Sequence, residues 1–354
     1  MCVMGDDVMF RAFGLMGAAL IATSCGSDGS TLGSAPFPGP SSVADAGSPE
    51  PLATIHDPVL MAEDGSYYLY STGSPDHSPL RAHRSPDLVN WTALPAPFPL
   101  PEWTTQAVPG ARGAWAPDIS RYDGGYRLYY SVSTFGSQVS AMGLATSPTL
   151  DPDASDYAWT DHGPVVTSTQ GDPYNAIDPN FVTDRDGRAW LSFGSFWGGL
   201  MLVELDPATG LRKPGAPVTN IARRPDNAEN AIEAPFIFER DGWYYLLASF
   251  DRCCNGVEST YKTVIGRSRA IDGPYVDRSG RSMLDGGGTI IAAAEPDDRF
   301  RGPGHPGHFR DSEGRDILVF HAYDAENDGR PTLRIGELTW TSGWPELEML
   351  ELPQ

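Results

Sequence analysis

Short apolar runs broken by two-residue polar turns recur along this chain in one repeated form. In Glu233-Ala-Pro-Phe-Ile-Phe-Glu-Arg-Asp-Gly-Trp-Tyr-Tyr-Leu-Leu-Ala-Ser249, an acid and a proline precede an apolar segment, Asp-Gly interrupts it, and an aromatic-rich alternating segment follows. Such a run predicts a β-hairpin with a carboxylate at its mouth. The pattern returns from His56-Asp57-Pro58 through Asp64-Gly65 to Tyr67-Tyr68-Leu69-Tyr70-Ser71, and from Ala116-Pro117-Asp118 through Asp123-Gly124 to Tyr126 and Ser131. It returns again from Ile177-Asp178-Pro179 through Asp186-Gly187 to Trp190 and Phe193, and a degenerate fifth copy joins Gly304-His305 to Ile317 and His321. Five hairpins at a near-regular spacing of about 60 residues imply a repeat architecture, and the all-β solution at this period is a five-bladed β-propeller. Further runs, at Ala141–Ser147, Met201–Leu205, Val264–Ser268 and Leu333–Trp340, read as outer strands of each blade, and Arg84–Trp91 reads as a turn before one. No amphipathic helix of substantial length is visible. Hairpins that all present an acid at the same place should bring those acids together at one end of the central axis.

Upstream the pattern changes. Residues 9–25 combine an arginine, an apolar core and small residues before a cysteine, which predicts a secretory leader over residues 1–25, too short to span as a mature helix. The ending Ala22-Thr23-Ser24-Cys25 is similar to a lipoprotein processing site, with Cys25 as the acylated residue. Residues 26–51 are rich in Ser, Gly, Pro and Ala without periodicity and are expected to form a disordered tether, leaving 52–354 for the propeller. The protein is thus expected to be exported, either secreted or lipid-anchored on a bacterial membrane, and monomeric.

Composition narrows the partners. A formal net charge of -21 argues against nucleic acid and against anionic membrane surfaces, and suits a neutral ligand. The 9 Trp, 14 Tyr and 14 Phe suit both β packing and stacking on sugar rings. The 4 cysteines show no zinc-type spacing. The adjacent pair Cys253-Cys254 is compatible with a vicinal disulfide or with two buried thiols.

A propeller assigns no activity by itself, so the carboxylates must. An isolated Asp-Pro is usually a turn or strand cap; three such acids around one axis, Asp57, Asp178 and Glu233, supply the parts for glycoside hydrolysis. One carboxylate activates water, a protonated carboxyl donates to the leaving oxygen, and a third sets that donor's pKa and orientation. Glu233, set among Ala231, Ile232, Ala234, Pro235 and Phe236, is the natural candidate for a raised pKa.

The combination of His56-Asp57-Pro58, Trp115-Ala-Pro-Asp118, Asn175-Ala-Ile-Asp-Pro179 and Glu233-Ala-Pro235 resembles glycoside hydrolase family 43. Phe250-Asp-Arg-Cys-Cys-Asn-Gly-Val-Glu-Ser-Thr-Tyr-Lys262, Ser131–Gln138 and Ser195–Gly199 are similar to its endo-arabinanases. The resemblance, spanning residues 54–340, implies inverting hydrolysis of internal α-1,5-L-arabinofuranosidic bonds in arabinan or arabino-oligosaccharides. It implies Asp57 as general base, Glu233 as general acid and Asp178 as pKa modulator. It also implies that His321 ligates a central ion, often calcium, which would hold the axial water network; calcium prefers oxygen ligands, so waters would complete the shell. Asp118 carries no proton-transfer role in the pattern and reads as structural or water-linked. Trp115, Phe135 and Trp197 are candidates for stacking on arabinose, and His56 and Asn175 for contacts to substrate hydroxyls. The segment Gly302-Pro-Gly-His-Pro-Gly-His-Phe309, with two histidines, departs from the pattern and bears on cleft shape. Competing readings are an exo-acting α-L-arabinofuranosidase or β-xylosidase of the same family, a retaining fructan-type propeller hydrolase, and a propeller that binds glycans without cleaving them.

Overall fold

A computed structural model describes Ala35–Pro36 and residues 52, 54–73 and 80–350. The leader, Cys25 and most of the tether lie outside the described residues. Within the span read as tether, Ala35–Pro36 pairs antiparallel with Thr160 and Asp161 at the outer edge of the second sheet.

Five antiparallel sheets, each built from four consecutive strands running outward, form a five-bladed propeller. The innermost strands are Val59–Glu63, Trp115–Tyr122, Asn180–Thr183, Ile232–Arg240 and Phe300–Arg310. They touch one another in sequence, and the fifth touches the first, so the ring closes. The predicted outer strands appear at Ser140–Ser147, Leu200–Leu205, Lys262–Ser268 and Arg330–Thr341. The only α-helix among the described residues is Glu102–Ala107, six residues long.

Three of the turns follow directly from their sequence. Asp64-Gly65, Asp123-Gly124 and Asp241-Gly242 place both residues at positive φ, the twist a two-residue hairpin loop needs. Blade three closes instead through a longer loop in which Asp184 accepts the backbone N–H of Asp186 and Arg188.

The aromatic runs are buried on both faces. Along Trp243–Phe250, Tyr244, Leu246, Ala248 and Phe250 pack against blade three, while Tyr245 and Leu247 pack against blade five. Five hydrophobic clusters fill the five seams between blades. Burial of this kind on both faces explains why the second strands read as near-continuous apolar segments.

Candidate active site

Each innermost strand carries, just before it or within it, a residue followed by proline, and in all five blades that residue is left-handed: Asp57 at φ 54°, Ala116 at 45°, Asp178 at 60°, Ala234 at 55° and His305 at 55°. Such a backbone is costly for a residue with a Cβ and persists only where its surroundings over-determine it. Here each N–H is held from the preceding blade. Ala116 donates to Thr72 Oγ1 at 2.9 Å, Asp178 to Ser131 Oγ at 2.9 Å, His305 to Ser249 Oγ at 2.8 Å and Asp57 to His321 Nδ1 at 3.2 Å. Blade three has Gly194 where the others carry these acceptors, and the N–H of Ala234 turns to Asp178 Oδ2 at 3.1 Å. The structural register is therefore the residue before proline. Glu233 precedes it by one position and Asp118 follows it by two, so the four acids and one histidine of the repeat are not equivalent residues.

Asp57, Asp178 and Glu233 come together in one buried cluster, each 7% exposed. Asp57 Oδ1 faces His56 Nδ1 at 2.8 Å and His305 Nδ1 at 3.0 Å, and Oδ2 accepts the Thr72 hydroxyl. Burial works against its charge, but the two histidines outweigh it and hold the carboxyl well below the usual range. Glu233 is shifted the opposite way: burial, reinforced by the charge of Asp178, pushes it up to about 8. Its Oε2 accepts Ser195 Oγ at 2.5 Å, and its Oε1 accepts the Tyr261 hydroxyl. Asp178 is raised to about 6, by burial and by Asp57 against the pull of His305. Burial alone would lower His305, yet Asp57, with Asp178 and Glu233, raises it to about 9. One buried cluster thus holds an ionised carboxylate, a protonated carboxyl and a cationic imidazole at neutral pH.

The remaining predicted positions divide. His56 is at the cluster, stacked on His321 with ring centroids 3.9 Å apart and joined through Nε2 to Tyr323 Oη at 3.0 Å. Trp115 is half-buried at the blade-two position that matches Glu233 in register, each pairing with a second-strand serine. Phe135 is 83% exposed and Trp197 40% exposed, both on loops joining second and third strands, at the end of the propeller where the acids lie. Asn175 is turned inward: its carboxamide oxygen accepts Ser140 Oγ at 2.7 Å, which assigns it to a buried hydroxyl chain rather than to the rim. Asp118 is also structural, accepting Phe181 N–H at 2.8 Å and Asn180 Nδ2 at 3.1 Å, so that it ties blade two to blade three. His321 is fully buried on the second strand of blade five, and its Nε2 has no hydrogen-bond partner among the described residues. Cys253 and Cys254 form a vicinal disulfide.

Five contributors were not legible as site residues: His305, Thr72, Ser195, Tyr261 and Tyr323. His305 carried a signal as the fifth copy of the repeat, and Ser195 and Tyr261 lie in segments similar to endo-arabinanases that gave neither of them a role. The other four are hydroxyls whose partners lie far off in sequence.

A sequence profile described as glycosyl hydrolases family 43 matches residues 51–345. The chain belongs to this family. It is 47% identical over 293 residues to the extracellular endo-alpha-(1->5)-L-arabinanase 1 of Bacillus subtilis, covering 82% of this chain and 87% of that protein. Among solved structures, an exo-1,5-alpha-L-arabinanase from a bovine ruminal metagenomic library superposes with a TM-score of 0.78 at 44% identity, covering 83% of this chain and 97% of that one. An alpha-L-arabinanase of Cellvibrio cellulosa complexed with arabinohexaose gives a TM-score of 0.77 at 38% identity, covering 83% and 95%. Family 43 membership makes the protein a glycosidase.

Proposed function

We propose that this protein is an exported endo-acting hydrolase of α-1,5-linked arabinan that inverts the anomeric centre. The observation that carries the reading is the opposed protonation of two carboxyls in one buried cluster. Asp57, ionised, takes a proton from the attacking water. Glu233, protonated at neutral pH, gives its proton to the oxygen of the departing sugar. Asp178 supplies the charge that keeps Glu233 protonated and, through the N–H of Ala234, fixes the backbone beside it. Both oxygens of Asp57 already accept hydrogen bonds, from His56 and His305 on one and Thr72 on the other, which suits polarising a water more than attacking carbon.

The exposed Phe135 and Trp197, on loops of adjacent blades at the end where the acids lie, offer stacking positions beyond the cluster, which supports cleavage within a chain. An exo-acting relative of comparable similarity keeps the alternative alive as an outcome of the test. That test is hydrolysis of debranched arabinan by wild type and Glu233→Ala, following product lengths with time and the anomeric configuration of the first product by proton NMR. Mixed short oligomers of inverted configuration, abolished by the substitution, support the proposal. Arabinose alone from the start establishes exo action, and retained configuration removes the base role of Asp57.

An axial divalent cation is the second part of the proposal. The buried, unpartnered Nε2 of His321 faces the axis, but Nδ1 accepts the Asp57 N–H at 3.2 Å, so Nε2 carries the ring proton here and would ligate an ion only in the other tautomer, with that hydrogen bond given up. His321 is the one protein ligand in this proposal, with His56 and Asp57 close beside it, so waters would complete a calcium shell. Bound there, the ion supplies positive charge that orders axial water. Loss of thermal stability on chelation, absent in His321→Ala, is the expected result. Export rests on the predicted leader, and on the extracellular relative; attachment through Cys25 would show as a membrane-bound fraction that Cys25→Ser releases.

A further inference from the structure

The motif Ser-Thr-Tyr-Lys262 has so far no chemical role, and blade five breaks the repeat by carrying glycine where blade four carries its acid. These two facts are one feature. Gly304 pairs with His321 as Glu233 pairs with Ser249, so the two residues hold the same register in adjacent blades. A Cβ on Gly304 would lie 2.1 Å from Cδ2 of Tyr261 and under 3 Å from two further atoms of that ring. Blade five gives up a side chain here, and the Tyr261 ring, 2% exposed, fills the space. From that seat its hydroxyl donates to Glu233 Oε1, while Ser195 donates to Oε2 from blade three.

We propose that Tyr261 is a positioning residue for the Glu233 carboxyl, seated by the absence of a side chain at Gly304. The proposal rests on Glu233 acting as the general acid. A hydroxyl both donates and accepts, so Tyr261 serves Glu233 in either protonation state. While Glu233 carries its proton on one oxygen, the hydroxyl at the other still donates; after transfer, both hydroxyls donate to the carboxylate. The clamp fixes the direction in which the proton leaves without itself consuming it. Tyr261 reaches neither the water nor the sugar carbon in this scheme and acts only through Glu233.

Two substrates with different leaving groups separate this role from a structural one. Arabinan departs as an alkoxide and needs the proton. A dinitrophenyl glycoside of an α-1,5-arabino-oligosaccharide departs as a stabilised phenolate and does not. In Tyr261→Phe, kcat on arabinan should fall about tenfold or more, a fraction of what general acid catalysis supplies, with KM little changed. The loss on the dinitrophenyl substrate should be much smaller. Gly304→Ala, which displaces the ring while keeping its hydroxyl, should show the same split. Equal losses on both substrates, or no loss on arabinan in Tyr261→Phe, would overturn the proposal. A wild-type enzyme that leaves arabinan intact would instead sink the reading of the function itself.

Discussion

Asp178 does the work of an acceptor that its blade lacks. Thr72, Ser131, Ser249 and His321 hold the left-handed N–H of the next blade, but Gly194 at the matching place has no side chain, and a Cβ there would meet Gly199 O at 2.3 Å. The Asp178 carboxylate reaches across to Ala234 instead and so stands close enough to Glu233 for its charge to raise that pKa. Asp178→Asn keeps an oxygen for the Ala234 N–H and removes only the charge. Glu233 must be protonated to act, so activity falls as pH rises through its pKa, about 8 here. Removing a negative neighbour lowers that pKa, and the alkaline limb of kcat/KM should move to lower pH by about one unit or more. The two carboxyls titrate as a pair, so the limb reports the pair rather than one residue. An unmoved alkaline limb in Asp178→Asn would show that burial alone sets the acid.

At the scale of elements, the chain disclosed its hairpins and hid their register. Asp-Gly turns and aromatic runs announced five repeats, and the acids beside proline announced a shared mouth. The left-handed residue that fixes the register is chemically plain in two blades, Ala116 and Ala234, so the acids drew the eye to Asp118 and Glu233 on either side of it. Asp57, Asp178 and Glu233 were legible because proline marks each of them. Ser195 and Tyr261 were not, because a hydroxyl 38 or 28 residues from Glu233 leaves no periodic trace. The loop of residues 251–261 shows what such long-range contacts build. Thr260 N–H returns to Arg252 O at 2.9 Å and closes the loop base. Within it the disulfide residue Cys254 is left-handed at φ 68° and donates its N–H to Tyr323 Oη at 2.7 Å, the same hydroxyl that meets His56. A left-handed cysteine is disfavoured unless held. Reduction of Cys253–Cys254 should therefore free that peptide and speed amide hydrogen exchange within residues 252–260, leaving the strands of blade four protected. Unchanged exchange in the loop after reduction, verified by thiol titration, would mean that Tyr323 and the loop base hold it without the disulfide.

At the scale of the whole molecule, the ring closes without a shared strand. The four strands of blade five are consecutive in the chain, and among the described residues no strand from the start of the propeller joins them. The seam between blades five and one depends on side chains, with Ile55, Leu60, Leu69 and Trp91 packed against Ile317, Val319, Leu333 and Ile335. Polar contacts across it include Ile55 N–H to Pro331 O at 2.9 Å, Asp57 N–H to His321 Nδ1 at 3.2 Å, His56 Nε2 with Tyr323 Oη at 3.0 Å and His305 Nδ1 with Asp57 Oδ1 at 3.0 Å. The last three belong to the active site, so the join between the last blade and the first also positions the base. Leu69 and Leu246 are both fully buried, one in this seam and the other in the seam between blades three and four. Truncation of either to alanine should cost about 2–5 kcal/mol and lower Tm. The consequences for activity should differ. Leu69→Ala should lose arabinan hydrolysis several degrees below its unfolding transition, because opening this seam separates Asp57 from His321 before the other blades part. Leu246→Ala should lose activity only in step with unfolding, since the chain runs directly from blade three into blade four across its seam. Measuring residual rate and tryptophan fluorescence on the same temperature ramp compares the two, and coincident curves for Leu69→Ala would show that the ring opens as one unit.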